Sequence, residues 1–275
     1  MRPVPIESLD DPRVAAYRNV RDADLRQGRS FVAEGRLNVR RLLATPRFRT
    51  RSVFVTPAGF AGIREALEAR AAELPVYLAS QQLLNRVVGY AMHRGCLAEG
   101  ARGEEPGFAE LLGAEGRPPR LTVALEDVTN PENVGAIFRN ALAFGAGAVL
   151  LTRRCVDPLY RRSIRVSMGA SLRVPFARAG EWPAELRRLR EAGAFVVALS
   201  TRAALPLAAL RVPPDARGAV LVVGNEGSGL SAAARAECDA CVAIPMAPGI
   251  DSLNAATATG IALHALAAPL ATCGA

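Results

Sequence analysis

Lysine is absent from this chain of 275 residues, so its basic side chains are arginine throughout, 34 of them. That excludes a Schiff-base lysine, a Walker-type phosphate lysine and a lysine general base. Histidine is almost absent. His93 and His264 are the only two, far apart in sequence; a histidine-rich metal site is excluded, and a Ser-His-Asp triad has little to draw on. No metal is expected. The five cysteines, Cys96, Cys155, Cys238, Cys241 and Cys273, are an odd number with no signal peptide ahead of them, which fits a reducing cytoplasm. Cys238-Asp-Ala-Cys241 has C-x-x-C spacing but no second pair, so two buried thiols are favoured over zinc or redox chemistry. No run of about 18 uncharged apolar residues occurs and the N-terminus is charged, so neither a membrane span nor export is expected.

What is present is apolar bulk and positive charge. Half the residues are hydrophobic, enough for a sizeable core and against general disorder. A net charge of +8 and a pI near 10.0 point to an anionic partner such as nucleic acid. The first 51 residues hold twelve arginines, Arg29 and Arg36 among them, against six acids. This is either a solvated face or a contact with phosphates. A second excess is Arg153, Arg154, Arg161, Arg162, Arg165 and Arg173 against Asp157. It follows a strand end, where phosphate contact is favoured over a plain surface run.

Gly, Pro and charge concentrate over Ala101–Gly107 and Gly113–Pro119, which reads as a linker around a short helix near Phe108–Leu112. Three regions follow: a domain at 1–100, a linker at 101–119 and a domain at 120–275. In the first, strands are expected at Ser30–Gly35, Arg51–Val55 and Val76–Leu78, with helices at Ala61–Leu74 and Gln81–Val87, giving a small α/β domain. In the second, strands are expected at Leu121–Leu125, Ala148–Thr152, Ala194–Leu199, Ala219–Val223 and Val242–Ile244. Helices alternate with them at Val134–Phe144, Pro183–Ala192, Ser231–Ala236 and Leu253–Leu266. Short Val/Ala/Leu strands with helices between predict an α/β fold, a mostly parallel sheet covered on both faces.

Three loops of the second domain carry residues that a core does not need, each where a strand is expected to end, the edge at which open α/β sheets bind ligands. In the first, Pro131 stiffens the turn, Asn133 is placed as helix N-cap, and Arg139 stands on an otherwise apolar helix. A structural salt bridge would occupy Arg139; a substrate phosphate or ribose is favoured. The second loop, Gly224-Asn-Glu-Gly-Ser-Gly229, has the order G-x-x-G-x-G, not the dinucleotide order G-x-G-x-x-G, which argues against a nicotinamide-dependent oxidoreductase. Its glycines would let backbone groups meet a ligand, although a plain turn and helix cap is the alternative; Glu226 is its one charge. The third runs from Ile244 to Asn254, kept irregular by Pro245 and Pro248. Its Met246 and Leu253 offer apolar walls, and Ser252 is placed to cap the following helix with Asn254 in the first turn.

In this order the loops resemble the signature motifs of the SpoU (TrmH-like) family of RNA ribose methyltransferases, in the SPOUT superfamily. The matches are N-x-G-x-x-x-R-x-A at Asn133–Ala141, G-x-E-G-x-G at Gly224–Gly229 and I-P-M…S-L-N at Ile244–Asn254; Arg165–Ala170 is similar to a further family segment. Asn140 departs from the usual Ser or Thr, and Pro248 stands near a position often occupied by Gly. Phe31–Gly35 is similar to the start of the L30e-like substrate-binding domain that often precedes this fold. The resemblance implies a deep trefoil knot, S-adenosylmethionine as methyl donor, and a cytoplasmic homodimer joined through the C-terminal domain. The implied acceptor is a ribose 2′-OH of structured RNA, with 23S ribosomal RNA favoured and a housekeeping or antibiotic-resistance role equally open. Transfer RNA, or RNA binding without catalysis, is the alternative. Matched residues place Asn133, Arg139, Glu226, Ser252 and Asn254 in the catalytic neighbourhood, and Leu125, Gly224, Asn225, Gly227, Ile244, Met246 and Leu253 around the donor. The arginines expected to meet RNA are Arg29, Arg36, Arg153, Arg154, Arg161, Arg162 and Arg165.

Overall fold

The computed structural model describes residues 2–19, 21–70, 74–93, 95–112 and 116–272, with side chains as far as residue 267. Cys273 and part of the expected linker, residues 113–115, lie outside the described residues. The chain divides into two compact units, Met1–Glu104 with Leu159–Arg173, and Glu105–Pro158 with Val174–Ala275.

In the first unit the elements are β1 (Val4–Pro5), α1 (Asp22–Gln27), β2 (Ser30–Glu34), α2 (Arg36–Ala44), β3 (Thr50–Val55), α3 (Pro57–Glu68), β4 (Val76–Leu78), α4 (Gln81–Val88) and β5 (Cys96–Ala101). They form a five-stranded sheet of order β1-β4-β3-β5-β2. Strand β5 runs antiparallel to both β2 and β3. No strand is expected there from sequence, because Gly100 and the following Gly/Pro run mask its alternation. Helix α3 starts four residues earlier than expected. Pro57 occupies its first turn and Thr56 Oγ1 accepts from Gly59 N–H, a capping arrangement that fixes the start.

The second unit continues with α5 (Phe108–Leu111), β6 (Leu121–Leu125), α6 (Pro131–Ala143) and β7 (Ala148–Leu151). The chain then leaves the unit for α7 (Arg161–Val166) and returns as β8 (Phe176–Arg178), α8 (Ala184–Glu191), β9 (Ala194–Leu199), β10 (Leu205–Pro206), β11 (Gly218–Val223), α9 (Ala232–Ala236), β12 (Ala240–Ala243) and α10 (Ala255–Thr272). Seven strands form one sheet of order β10-β12-β9-β11-β6-β7-β8, every pair parallel. β6 and β11 are buried along their whole length, as central parallel strands covered on both faces must be. Their order sets the ends of β11, β6 and β7 side by side, and all three loops of interest leave from the carboxyl edge of this sheet.

The expected basic edge is corrected here. Arg153 and Arg154 stay at the end of β7, but Leu159–Arg173 clusters with the first unit. There Arg161 meets Asp22 at 3.1 Å and Glu34 at 3.4 Å, Arg41 donates to the Met168 carbonyl, and Thr45 Oγ1 donates to the Leu172 carbonyl at 3.3 Å. Local charge alone could not show that Arg161 has acidic partners over a hundred residues away.

Candidate active site

Helix α6 begins three residues before its expected start. Asn130 is the N-cap, its side chain accepting from Glu132 N–H at 2.8 Å, and Pro131 fills the first position. Asn133 is therefore not the cap. It lies buried in the first turn, its side chain turned toward the other loops. A stripe of Val134, Ile137, Phe138 and Ala141 holds α6 on the sheet, with Phe138 edge-on to Phe176 at 5.7 Å.

Helix α10 begins at Ala255, and its cap is Asn254, not Ser252: Asn254 Oδ1 accepts from Ala256 N–H at 2.9 Å and Thr257 N–H at 3.2 Å. With that oxygen committed, Asn254 Nδ2 must be the donor elsewhere, and it reaches Asn133 Oδ1 at 2.8 Å. Asn133 Nδ2 in turn donates to Glu226 Oε1 at 2.8 Å. One directed chain, Asn254 to Asn133 to Glu226, thus ties all three loops together. Asn130 N–H adds a second donor to Glu226 Oε1 at 3.3 Å, so the carboxylate sits at the N-terminus of α6, where the helix dipole favours negative charge. Asn140, the departure from the family pattern, donates to the Ala256 carbonyl at 2.8 Å. Gly260 lets α10 come that close, since a Cβ there would meet Asn140 Nδ2 at 2.9 Å.

The glycine loop folds back on itself. A Cβ on Gly224 would stand 2.3 Å from the Gly229 carbonyl carbon and 2.5 Å from Leu230 N. Only glycine fits because the loop returns on itself, Asn225 and Gly229 bridging at 3.2 and 3.0 Å. Asn225 Oδ1 accepts from Gly227 N–H at 2.9 Å and Ser228 N–H at 3.0 Å. These amides serve the loop's own fold, and Glu226 is left exposed on it.

Arg139 is exposed and has no partner among the described residues. Ser252 is exposed; Ile244, Met246 and Leu253 are half-buried. Among the described residues, the one backbone bond within the 244–253 loop is Ile250 N–H to the Ala247 carbonyl at 3.3 Å. Leu125 is fully buried, its carbonyl taken by Thr152 N–H and Cys155 Sγ, so it forms part of the floor. Arg153 is exposed without a described partner, and Arg154 faces Asp127 at 3.3 Å. Arg29 donates to the Gly103 carbonyl and Arg36 to the Ala58 carbonyl. Arg165 remains largely exposed near Glu34, and Arg162 is exposed.

Sequence reasoning missed Glu126. It is buried; its Oε1 accepts from Trp182 Nε1 at 2.8 Å and Ser231 Oγ at 2.7 Å, and its Oε2 from Ser231 N–H at 2.8 Å. An acidic pair, Glu126-Asp127, directly after an apolar strand was the available signal. Cys238 and Cys241 are part-buried against the core, and burial pushes the Cys238 thiol up to about 12. Among the described residues no His/Cys/Asp/Glu group could hold a metal ion, and no helix is long and apolar enough to cross a membrane.

A buried parallel sheet thus carries three interlocked loops at its carboxyl edge, which offer a guanidinium, a carboxylate and amides. Residues 120–264 match the model of the SpoU rRNA methylase family. A relative in Mycobacterium tuberculosis, named as an uncharacterized tRNA/rRNA methyltransferase, is 41% identical over 263 residues, covering 93% of this chain and 88% of its own. The AdoMet-bound rRNA methyltransferase of Sinorhizobium meliloti superposes with a TM-score of 0.79 at 26% identity, covering 96% of this chain and 97% of its own. The SpoU methyltransferase AviRb of Streptomyces viridochromogenes, solved with AdoMet, gives 0.79 at 21% identity over 95% and 100%, a likeness of fold alone. The chain belongs to the SpoU rRNA methylase family.

Proposed function

We propose that this chain transfers a methyl group from S-adenosylmethionine to a ribose 2′-OH of structured RNA, 23S ribosomal RNA being the first substrate to test. The observation that carries the reading is the Asn254–Asn133–Glu226 chain, which makes one site of the three motif loops. The residues fit the donor. Ile244, Met246 and Leu253 are apolar and half-buried in a loop whose backbone groups are almost all free of internal bonds, which suits an adenosine ring and its polar edge. Gly224, Asn225 and Gly227 shape the neighbouring loop. When bound, the donor supplies an electrophilic methyl group on a sulfonium. Arg139, whose guanidinium carries donors only, holds the ribose or its adjacent phosphate and stabilises charge developing on the hydroxyl oxygen. Asn133, Glu226 and Asn254 hold the frame in register, and Ser252 adds an exposed hydroxyl beside it. Positioning of this kind supplies up to ~7–11 kcal/mol of a barrier.

RNA capture is assigned to the first unit with Arg29, Arg36, Arg162 and Arg165, and to Arg153 and Arg154 at the end of β7. Arg161 is committed to Asp22 and Glu34 and serves as a tie. Exposed Ile250 and Ile261 favour a homodimer joined through the second unit, and α10 packed on α6 and β11 is compatible with the family's knot. The protein is assigned to the cytoplasm. Incubation with labelled S-adenosylmethionine and separated 23S rRNA and tRNA tests the reading. Label in 23S rRNA supports it, label in tRNA alone moves the substrate, and no label in either with RNA still bound makes this an RNA-binding protein without catalysis.

A further inference from the structure

The ends of three neighbouring strands, β11, β6 and β7, are laced by side chains that the proposed chemistry does not use. Thr152, just past β7, is buried. Its Oγ1 accepts from Asp127 N–H at 2.9 Å and donates to Asp127 Oδ1 at 2.7 Å. One hydroxyl thus grips both the backbone and the side chain of Asp127. Asp127 stands in the left-handed region, with φ +56°, a conformation that costs a non-glycine residue energy and persists where its surroundings hold it. That twist accompanies a carbonyl presented to the glycine loop: Asn225 Nδ2 donates to Asp127 O at 2.8 Å. The orientation of the Asn225 amide is not free, because its Oδ1 is committed to Gly227 N–H, Ser228 N–H and, at 3.2 Å, Ser228 Oγ. Asn225 Nδ2 also lies 3.5 Å from Glu226 Oε2.

We infer that Thr152, Asp127 and Asn225 are positioning residues that set Glu226 from the side opposite Asn133. Asn225, expected among the donor contacts, acts through the loop it folds. Glu226 is then fixed twice, by Asn133 and the α6 N-terminus on Oε1 and by the laced loop on its backbone. The inference rests on the methyltransferase reading, and the functional element it adds is Thr152, which stands a full strand away from the glycine loop.

The test is Thr152→Val, which keeps shape and removes the hydroxyl, beside Thr152→Ser, which keeps the hydroxyl, each alone and with Glu226→Gln. The expected result is a fall in kcat of about tenfold or more, since misplacement by about an ångström can cost ~100-fold. KM for the donor should be unchanged, and Thr152→Ser should restore most of the rate. In the Glu226→Gln background, Thr152→Val should add nothing further. A Thr152→Val enzyme with wild-type kcat, or one whose loss multiplies fully with that of Glu226→Gln, overturns the inference. Asn225→Asp, which keeps the acceptor but sets oxygen against the Asp127 carbonyl, is the second variant should Thr152→Val fold poorly, and it must show the same kcat loss. Amide hydrogen exchange at Gly227 and Ser228 reads the lacing without activity: it should quicken in Thr152→Val, and unchanged protection refutes it. Absence of transfer by the wild-type protein would instead defeat the methyltransferase reading and leave the exchange result standing.

Discussion

Asn254 does two jobs with one side chain, and substitutions can separate them. Its Oδ1 caps α10 through Ala256 and Thr257, and its Nδ2 donates to Asn133. Loss of an N-cap costs ~1 kcal/mol. Loss of the bond to Asn133 costs about another 1 kcal/mol, because Asn133 is buried and its Oδ1 has no other partner among the described residues. Asn254→Ala should therefore destabilise by roughly 2 kcal/mol, a Tm drop of about 4–8 °C for a unit of this size. Asn254→Ser keeps a capping oxygen and should lose roughly half as much. Asn254→Asp is the sharpest case. It is an excellent cap, yet it sets an oxygen against Asn133 Oδ1, and turning the Asn133 amide over would set oxygen against Glu226. It should be no more stable than Asn254→Ser despite the better cap. The assay is urea or thermal unfolding of the four proteins side by side. An Asn254→Asp variant as stable as wild type would refute the directed chain, and equal losses for Ser and Ala would refute the cap.

Arg139→Ala removes an exposed side chain with no partner among the described residues, so stability should change by less than ~0.5 kcal/mol while methyl transfer disappears and donor affinity persists; a large Tm drop would show that the arginine is structural. Gly224→Ala places a methyl group 2.3 Å from the Gly229 carbonyl carbon; overpacking against backbone costs ~1–3 kcal/mol, which thermal unfolding should register, while a normal Tm would contradict the folded-back loop. Burial holds the Cys96 and Cys238 thiols up at about 12, against ~8.5 for a free thiol. Folding therefore favours the protonated form, so this stabilisation is complete below about pH 8.5 and is lost as pH rises toward 12. At pH 8 these thiols should alkylate far more slowly in the native protein than in urea, and equal rates would show that they are accessible.

The second sheet was legible because β6, β9 and β11 are short apolar runs buried on both faces, for which composition and length suffice. β5 was hidden by its glycine and by lying next to a run that reads as a linker, and β8 by following Pro175 directly and ending in Arg178, within a basic stretch. The start of α6 was written in Asn130-Pro131, a cap and a first-turn proline, but Asn133 also suits a cap, and propensity does not choose between them. Its true partner, Glu226, lies 93 residues away, and such pairing depends on the order of strands in the sheet. The same holds for Arg161: its charge is plain in the sequence, but the acids that neutralise it follow from tertiary structure. The motif residues were recognisable one by one, whereas their joining into a single hydrogen-bonded chain needed coordinates.

The most direct test of that joined site is the chemical identity of its product. Labelled S-adenosylmethionine and unmethylated 23S rRNA are incubated with the wild-type and Arg139→Ala proteins, and the RNA is hydrolysed in alkali, which cleaves through the free 2′-OH. Label retained in alkali-resistant dinucleotides with the wild type, and absent with Arg139→Ala, is the predicted result. Label recovered on a base in ordinary mononucleotides, or equal ribose methylation by both proteins, would contradict the account.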